Sequence, residues 1–136
     1  MKFMLMMHAA RGTGDWDLSN WPPEDMQAHI KFMIGFSADL AAAGELVAGE
    51  GLASPGQARV VRAGQDGPEV TDGPFAETKE FLAGYWIVDV ETPAQAYAIA
   101  GRASAAPGPG GTRLRIPIEV REVMSGPPCE TASDTK

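Results

Sequence analysis

Residues 2–8 (KFMLMMH) predict a strand, with Phe3, Leu5 and Met7 pointing one way and Met4, Met6 and His8 the other. Both sides are mostly apolar, so both faces are expected to be covered. Residues 9–23 form a polar stretch with glycine, proline and two tryptophans, Trp16 and Trp21. Over 24–43 the period becomes helical. Met26, Ile30, Met33, Ser37, Leu40 and Ala41 recur on one face, with Lys31 and Asp39 opposite. Pro22 and Pro23 stand at the entry, Glu24 and Asp25 complement the helix dipole, and Gly44 is placed to stop the helix.

The middle of the chain is rich in strands. Residues 45–53 (ELVAGEGLA) predict a second strand, in which Gly49 and Gly51 mark a bulge or a close backbone approach. Residues 58–63 predict a third, followed by an Asp66-Gly67 turn and a short return strand over 69–71. A second turn at 72–74 leads to the clearest strand, 82–90 (LAGYWIVDV). There Tyr85, Ile87 and Asp89 face one side and Trp86, Val88 and Val90 the other.

Thr92-Pro93-Ala94-Gln95 is a helix start, with Thr as cap, Pro at the first position and Gln completing a capping box. This helix is expected to run to about Ser104, and residues 106–111 (APGPGG) to form a loop. Over 113–121 Leu114, Ile116, Ile118 and Val120 alternate inward, while Pro117 has no N–H for a ladder, which predicts an edge strand or a bulge. The composition from Ser125 onward is that of a flexible tail. The expected organisation is one domain over 1–124 and a tail over 125–136.

This order predicts an α+β chain, the ferredoxin-like β-α-β-β-α-β pattern with an extra hairpin: an antiparallel sheet with helices on one face. The central strands are apolar on both faces, so the other face needs a cover. A second copy would supply one and make a homodimer; Trp16 and Trp21 folding over it would supply another.

Composition narrows the function. The 136 residues carry a net charge of −7, which argues against nucleic acid and anionic membranes as partners. Cys129 is the one cysteine, so no intrachain disulfide forms, and two histidines with one cysteine do not build the usual structural zinc site. The opening apolar run is too short for a secretory signal, and no window reaches the roughly 18 apolar residues of a membrane span. A cytoplasmic protein is the expectation. Nothing in the sequence demands a metal, flavin or haem, and no phosphate loop, dinucleotide motif, serine elbow or HExxH is present.

The most distinctive stretch is DGPFAETKE, Asp72–Glu80. Asp72 can hold backbone amides two residues on, Pro74 stiffens the loop and Phe75 can anchor it. That would fix the carboxylates of Asp72 and Glu77 relative to Lys79, as an acid/base or anion site requires. The same residues also make a good turn followed by a solvated charge run. His8 ends the first strand beside Met4 and Met6, either reaching a pocket as acid or base or simply satisfied at a strand end. His29, four residues after Asp25, suits a pair on the helix surface. Glu50 between two glycines either meets a ligand or marks a bulge. Arg113, Arg115 and Arg121 form either an anion-binding face or a solvated edge. The methionines suit core gap-filling.

VTDGPFAETKE, preceded by GELVAGEGLA and followed by LAGYWIVDV, resembles the DGPF-type branch of the YCII-related family. The opening KFMLMM and closing IEVREV strands extend the resemblance over about residues 1–123. It implies a dimeric α/β barrel, related to muconolactone-isomerase-like enzymes, dehalogenating lyases and monooxygenases of small cyclic compounds. It also implies association with alternative sigma factors of RNA polymerase. The motif positions carried over are Asp72, Gly73, Pro74, Phe75, Glu77, Lys79 and Glu80. Relatives pair a first-helix histidine with an aspartate; His29 sits about one turn early for that pattern.

Three functions stand side by side. The first is a small-molecule binder or a lyase- or isomerase-like acid–base enzyme on a small organic acid or cyclic compound. Asp72 would be its base or anchor, helped by His8 or Glu77. Gly73, Pro74, Phe75, Lys79, Glu80, Tyr85, Trp86 and Glu50 would contact the ligand. The second is a regulatory or accessory protein acting by contact, for instance with a sigma factor. The third is a dimeric module whose motif is purely structural.

Overall fold

A computed structural model describes residues 1–10, 20–74 and 80–124 of the chain. Its elements run β1 (Lys2–Ala10), α1 (Pro23–Ala42), β2 (Leu46–Gly51), β3 (Arg59–Ala63), β4 (Pro68–Asp72), β5 (Glu80–Asp89), α2 (Pro93–Ser104) and β6 (Ile118–Glu122). One antiparallel sheet has the order β2-β5-β1-β6, and β3 and β4 form a separate two-stranded hairpin. With the hairpin set aside, the order is that of a ferredoxin-like β-α-β-β-α-β unit. The fold is α+β, as the element order predicts. The tail, with Cys129, lies outside the described residues.

The two helices pack on one face of the sheet. Phe3, Leu5 and Met7 of β1 and Trp86 and Val88 of β5 meet Phe36 and Leu40 of α1 and Ala96, Ile99, Ala100 and Ala103 of α2. Small residues on α2 bring that helix close. Thr92 Oγ1 accepts from Gln95 N–H while Gln95 Oε1 accepts from Thr92 N–H, the capping box that the sequence announces. Gly44, at φ +74°, ends α1 as expected. On the far face of the sheet, Met4, Met6, His8, Tyr85 and Ile87 are half-buried.

Two expectations need correction. The first concerns α1, whose buried residues are His29, Phe36 and Leu40, while Ile30 and Ala41 are exposed. The aromatic side chains decide this. Phe36 sits edge-on to Trp86 at 5.3 Å and stacks with Phe32 at 5.9 Å, so the core stripe follows 29, 32, 36 and 40. Of the expected face, Leu40 is buried and Met33 packs against the core, while Ile30, Met33 and Ser37 also line a cavity. The second concerns the last strand, which begins at Ile118 and not at 113. Before Pro117 the backbone is held by the end of α2: Leu114 N–H donates to Ala106 O, Arg115 N–H to Ser104 O, and Ser104 Oγ–H to Ile116 O. Arg115, at φ +53°, makes that turn possible. β6 does lie at the sheet edge, and Leu114, Ile116, Ile118 and Val120 are all half-buried.

Trp21 does not cover the open face. It is buried on the helix side, edge-on to His29 at 5.3 Å. Trp16 lies outside the described residues.

Candidate functional site

A cavity of about 550 Å³ opens between α1 and the β2–β5 side of the sheet. That volume is typical of small-molecule sites, roughly 300–1,000 Å³. One wall is the α1 stripe of Ile30, Met33, Ile34 and Ser37. The floor is Met7, Phe81, Ala83 and Trp86. Leu114 and Ile116, held against α2 by the bonds above, line it too.

Local sequence explains why the space exists. A Cβ at Gly49 would lie 2.8 Å from Trp86 Cδ1, so glycine there lets the indole lie against β2. The β2–β5 register also shifts between Leu46 and Ala48. Of the two options that the glycine pattern leaves open, Gly49 serves the close approach; the irregularity falls before the glycines, and pairing through Gly49 and Gly51 is regular.

His29 is the polar residue set most firmly in this site. It is 9% exposed, lines the cavity, and places Nδ1 3.0 Å from Pro107 O. A carbonyl only accepts, so Nδ1 donates, and Nε2 of the neutral ring keeps a lone pair. Among the described residues no partner is recorded for Nε2. The expected surface pair with Asp25 is therefore corrected. Asp25 Oδ2 instead accepts from Gly110 N–H at 3.1 Å. Together these two bonds latch the first turns of α1 to the 107–110 loop. Sequence reasoning missed His29 by leaving Phe32 and Phe36 out of the helix face. Their 29-32-36-40 spacing was the signal that could have found it.

The sequence-derived site residues fall in three places. Glu50, Tyr85 and Trp86 line the cavity. His8 is on the opposite face of the sheet, its Nε2 3.0 Å from Glu119 Oε1. Asp72, Gly73 and Pro74 are at the end of the hairpin. The Asp72 side chain is 96% exposed, 3.7 Å from Arg59 Nε. Gly73 N–H donates to Ala58 O, and a Cβ on Gly73 would press on Ala58 and Val60 at 3.2 Å. Glu80 opens β5 opposite Ala10 and is exposed. Phe75, Glu77 and Lys79 lie outside the described residues. The structure thus brings Trp86 together with His29, lets Glu50 and Tyr85 border the cavity from a strand pair whose Tyr85 side chain turns to the far face, and sets His8 and Asp72 apart.

Arg113, Arg115 and Arg121 are exposed. Among the described residues, no group of three or more His, Cys, Asp or Glu could hold a metal ion, and no helix is long and apolar enough to cross a membrane.

No curated protein matches the chain. The family model for the YCII-related domain matches residues 1–116, and the chain belongs to that family.

Proposed function

We propose that this protein, as a DGPF-type member of its family working in the cytoplasm, binds a small molecule in the cavity under α1. His29 is the polar group that meets it. The observation that carries this reading is the buried imidazole at the cavity wall, its Nδ1–H committed to Pro107 O. In its neutral form an imidazole held this way accepts a hydrogen bond at Nε2, so the site suits binding or acid–base chemistry on a cyclic compound. Asp72, exposed at the end of the hairpin, stands outside this cavity. As a proposal, the half-buried far face of the sheet, with Met4, Met6 and Ile87, pairs with a second copy to make the dimeric barrel. Light scattering that finds only monomer at micromolar concentration would overturn the pairing.

The ligand test is a thermal-shift screen of small cyclic compounds on wild type, Ser37→Phe and Asp72→Asn. Ser37→Phe fills the cavity from α1 and is expected to abolish a shift that Asp72→Asn retains. The reverse pattern would return the site to the hairpin. A second reading, a contact module for a partner such as an alternative sigma factor, is favoured by Val61 and Val70. These cross-strand neighbours on the hairpin are each more than half exposed. A pull-down with a sigma factor that is lost in Val61→Lys would support it.

A further inference from the structure

Resting on the cavity reading above, we infer the class of ligand: a neutral, flat, largely apolar molecule carrying one hydrogen-bond donor, of the phenol type, which it directs at His29 Nε2.

Three observations converge on this class. The first is directional. Pro107 O takes the Nδ1–H at 3.0 Å, which leaves Nε2 an acceptor on a residue nine-tenths buried. A buried acceptor that finds no donor is costly, so a ligand that supplies one is favoured over the same shape without it.

The second observation is the material of the walls. Trp21 stands edge-on to the imidazole, and the largely buried rings of Trp86 and Phe81 line the same space. Aromatic faces with methionine beside them suit a flat, polarisable ring. The rim is apolar as well: Ile34 is 66% and Leu52 46% exposed at the lining of the same space. A ligand with its donor at His29 would run its apolar body along α1 toward that rim.

The third observation is charge. Among the described residues of the lining, Glu50 is the one that carries a formal charge, and it is negative. A carboxylate ligand would find no lysine or arginine among the described residues of this lining, in a chain of net charge −7. The donor-bearing neutral form is thereby preferred to the organic acid that the sequence also allowed.

The test uses three probes of one shape on the wild-type protein: 2-naphthol, 2-methoxynaphthalene and 2-naphthoate. Binding is followed by tryptophan fluorescence and by calorimetry. The naphthol is expected to bind about tenfold more tightly than its methyl ether, the factor one neutral hydrogen bond supplies. The naphthoate is expected to bind more weakly than either. In His29→Phe, which keeps a ring but loses both nitrogens, the naphthol and ether affinities should converge. The wild-type ratio stands alone if that variant folds poorly. Equal binding of naphthol and ether would overturn the donor requirement while leaving the cavity in use. Tighter binding of the naphthoate would overturn the neutral class. Failure of all three to bind or to change the fluorescence would remove the cavity reading itself.

Discussion

Val88 and Val61 are both strand valines, yet the first is fully buried and the second is 58% exposed. Val88 belongs to the central sheet, where β5 is flanked by β1 and β2 and covered by α1 and α2. Val61 belongs to the β3–β4 hairpin, whose two strands pair with each other alone among the described residues. The same residue type is thus at work in two different settings. In the sheet, hydrogen-bonded pairing is joined to apolar burial, the dominant favourable term in folding. In the hairpin, pairing and turn chemistry stand almost by themselves, and a lone two-stranded hairpin is marginal in water. The distinctive motif begins in the second setting and the cavity is built in the first. Among the described residues, Asp72, Gly73 and Pro74 of the motif therefore stand apart from the cavity.

The widest contrast is predicted for truncations. Leu40→Ala, at a fully buried side chain in the core, should cost about 2–5 kcal/mol. Val61→Ala on the hairpin should cost less than about 0.5 kcal/mol. Urea denaturation of both variants measures the difference. If Val61→Ala costs as much as Leu40→Ala, the hairpin is buried in solution by another chain, and the contrast dissolves.

Gly49→Ala comes next, at about 1–3 kcal/mol, because the new Cβ would fall 2.8 Å from Trp86 Cδ1 and the indole must move. A change in tryptophan fluorescence should accompany the loss, since the displaced ring also lines the cavity. Unchanged stability and spectrum would mean that β2 can shift away from β5. Thr92→Ala should then cost about 1 kcal/mol, through loss of one half of the capping box on α2. Thermal denaturation resolves a change of that size in a domain this small.

The fold was largely legible in the chain because its elements carry local signals. Thr92-Pro93-Ala94-Gln95 states a helix start in four residues, and alternation in 82–90 states a strand. The face of α1 was not legible in the same way. Apolar residues surround much of that helix, and contact with Trp86 brings Phe36 into the core while Ile30 stays exposed. Choosing the wrong stripe turned His29 outward. The start of β6 was hidden for a related reason: the period of Leu114 and Ile116 is that of a strand, but their backbone partners are on α2. Such tertiary capture leaves no mark on hydrophobic spacing. That Trp86, Tyr85 and Glu50 border the cavity was legible because a strong strand and two glycines pointed at them. His29 depends on the carbonyl of Pro107, which is 78 residues away in the chain.

The smallest effect is expected at the most conspicuous residue. The Asp72 carboxylate is almost fully exposed, and its ion pair with Arg59 spans 3.7 Å in water. Exposed pairs of this kind contribute little, so Asp72→Asn should change stability by less than about 0.5 kcal/mol. The substitution keeps an oxygen that can accept from nearby amides, which holds the turn chemistry nearly constant and isolates the charge. Denaturation at low and at high salt would measure it, with the small difference fading as salt screens the pair. A loss well above 1 kcal/mol would show that Asp72 is engaged beyond Arg59. The hairpin would then be fastened at its end instead of standing on turn chemistry, and its contrast with the sheet would be one of side-chain cover alone.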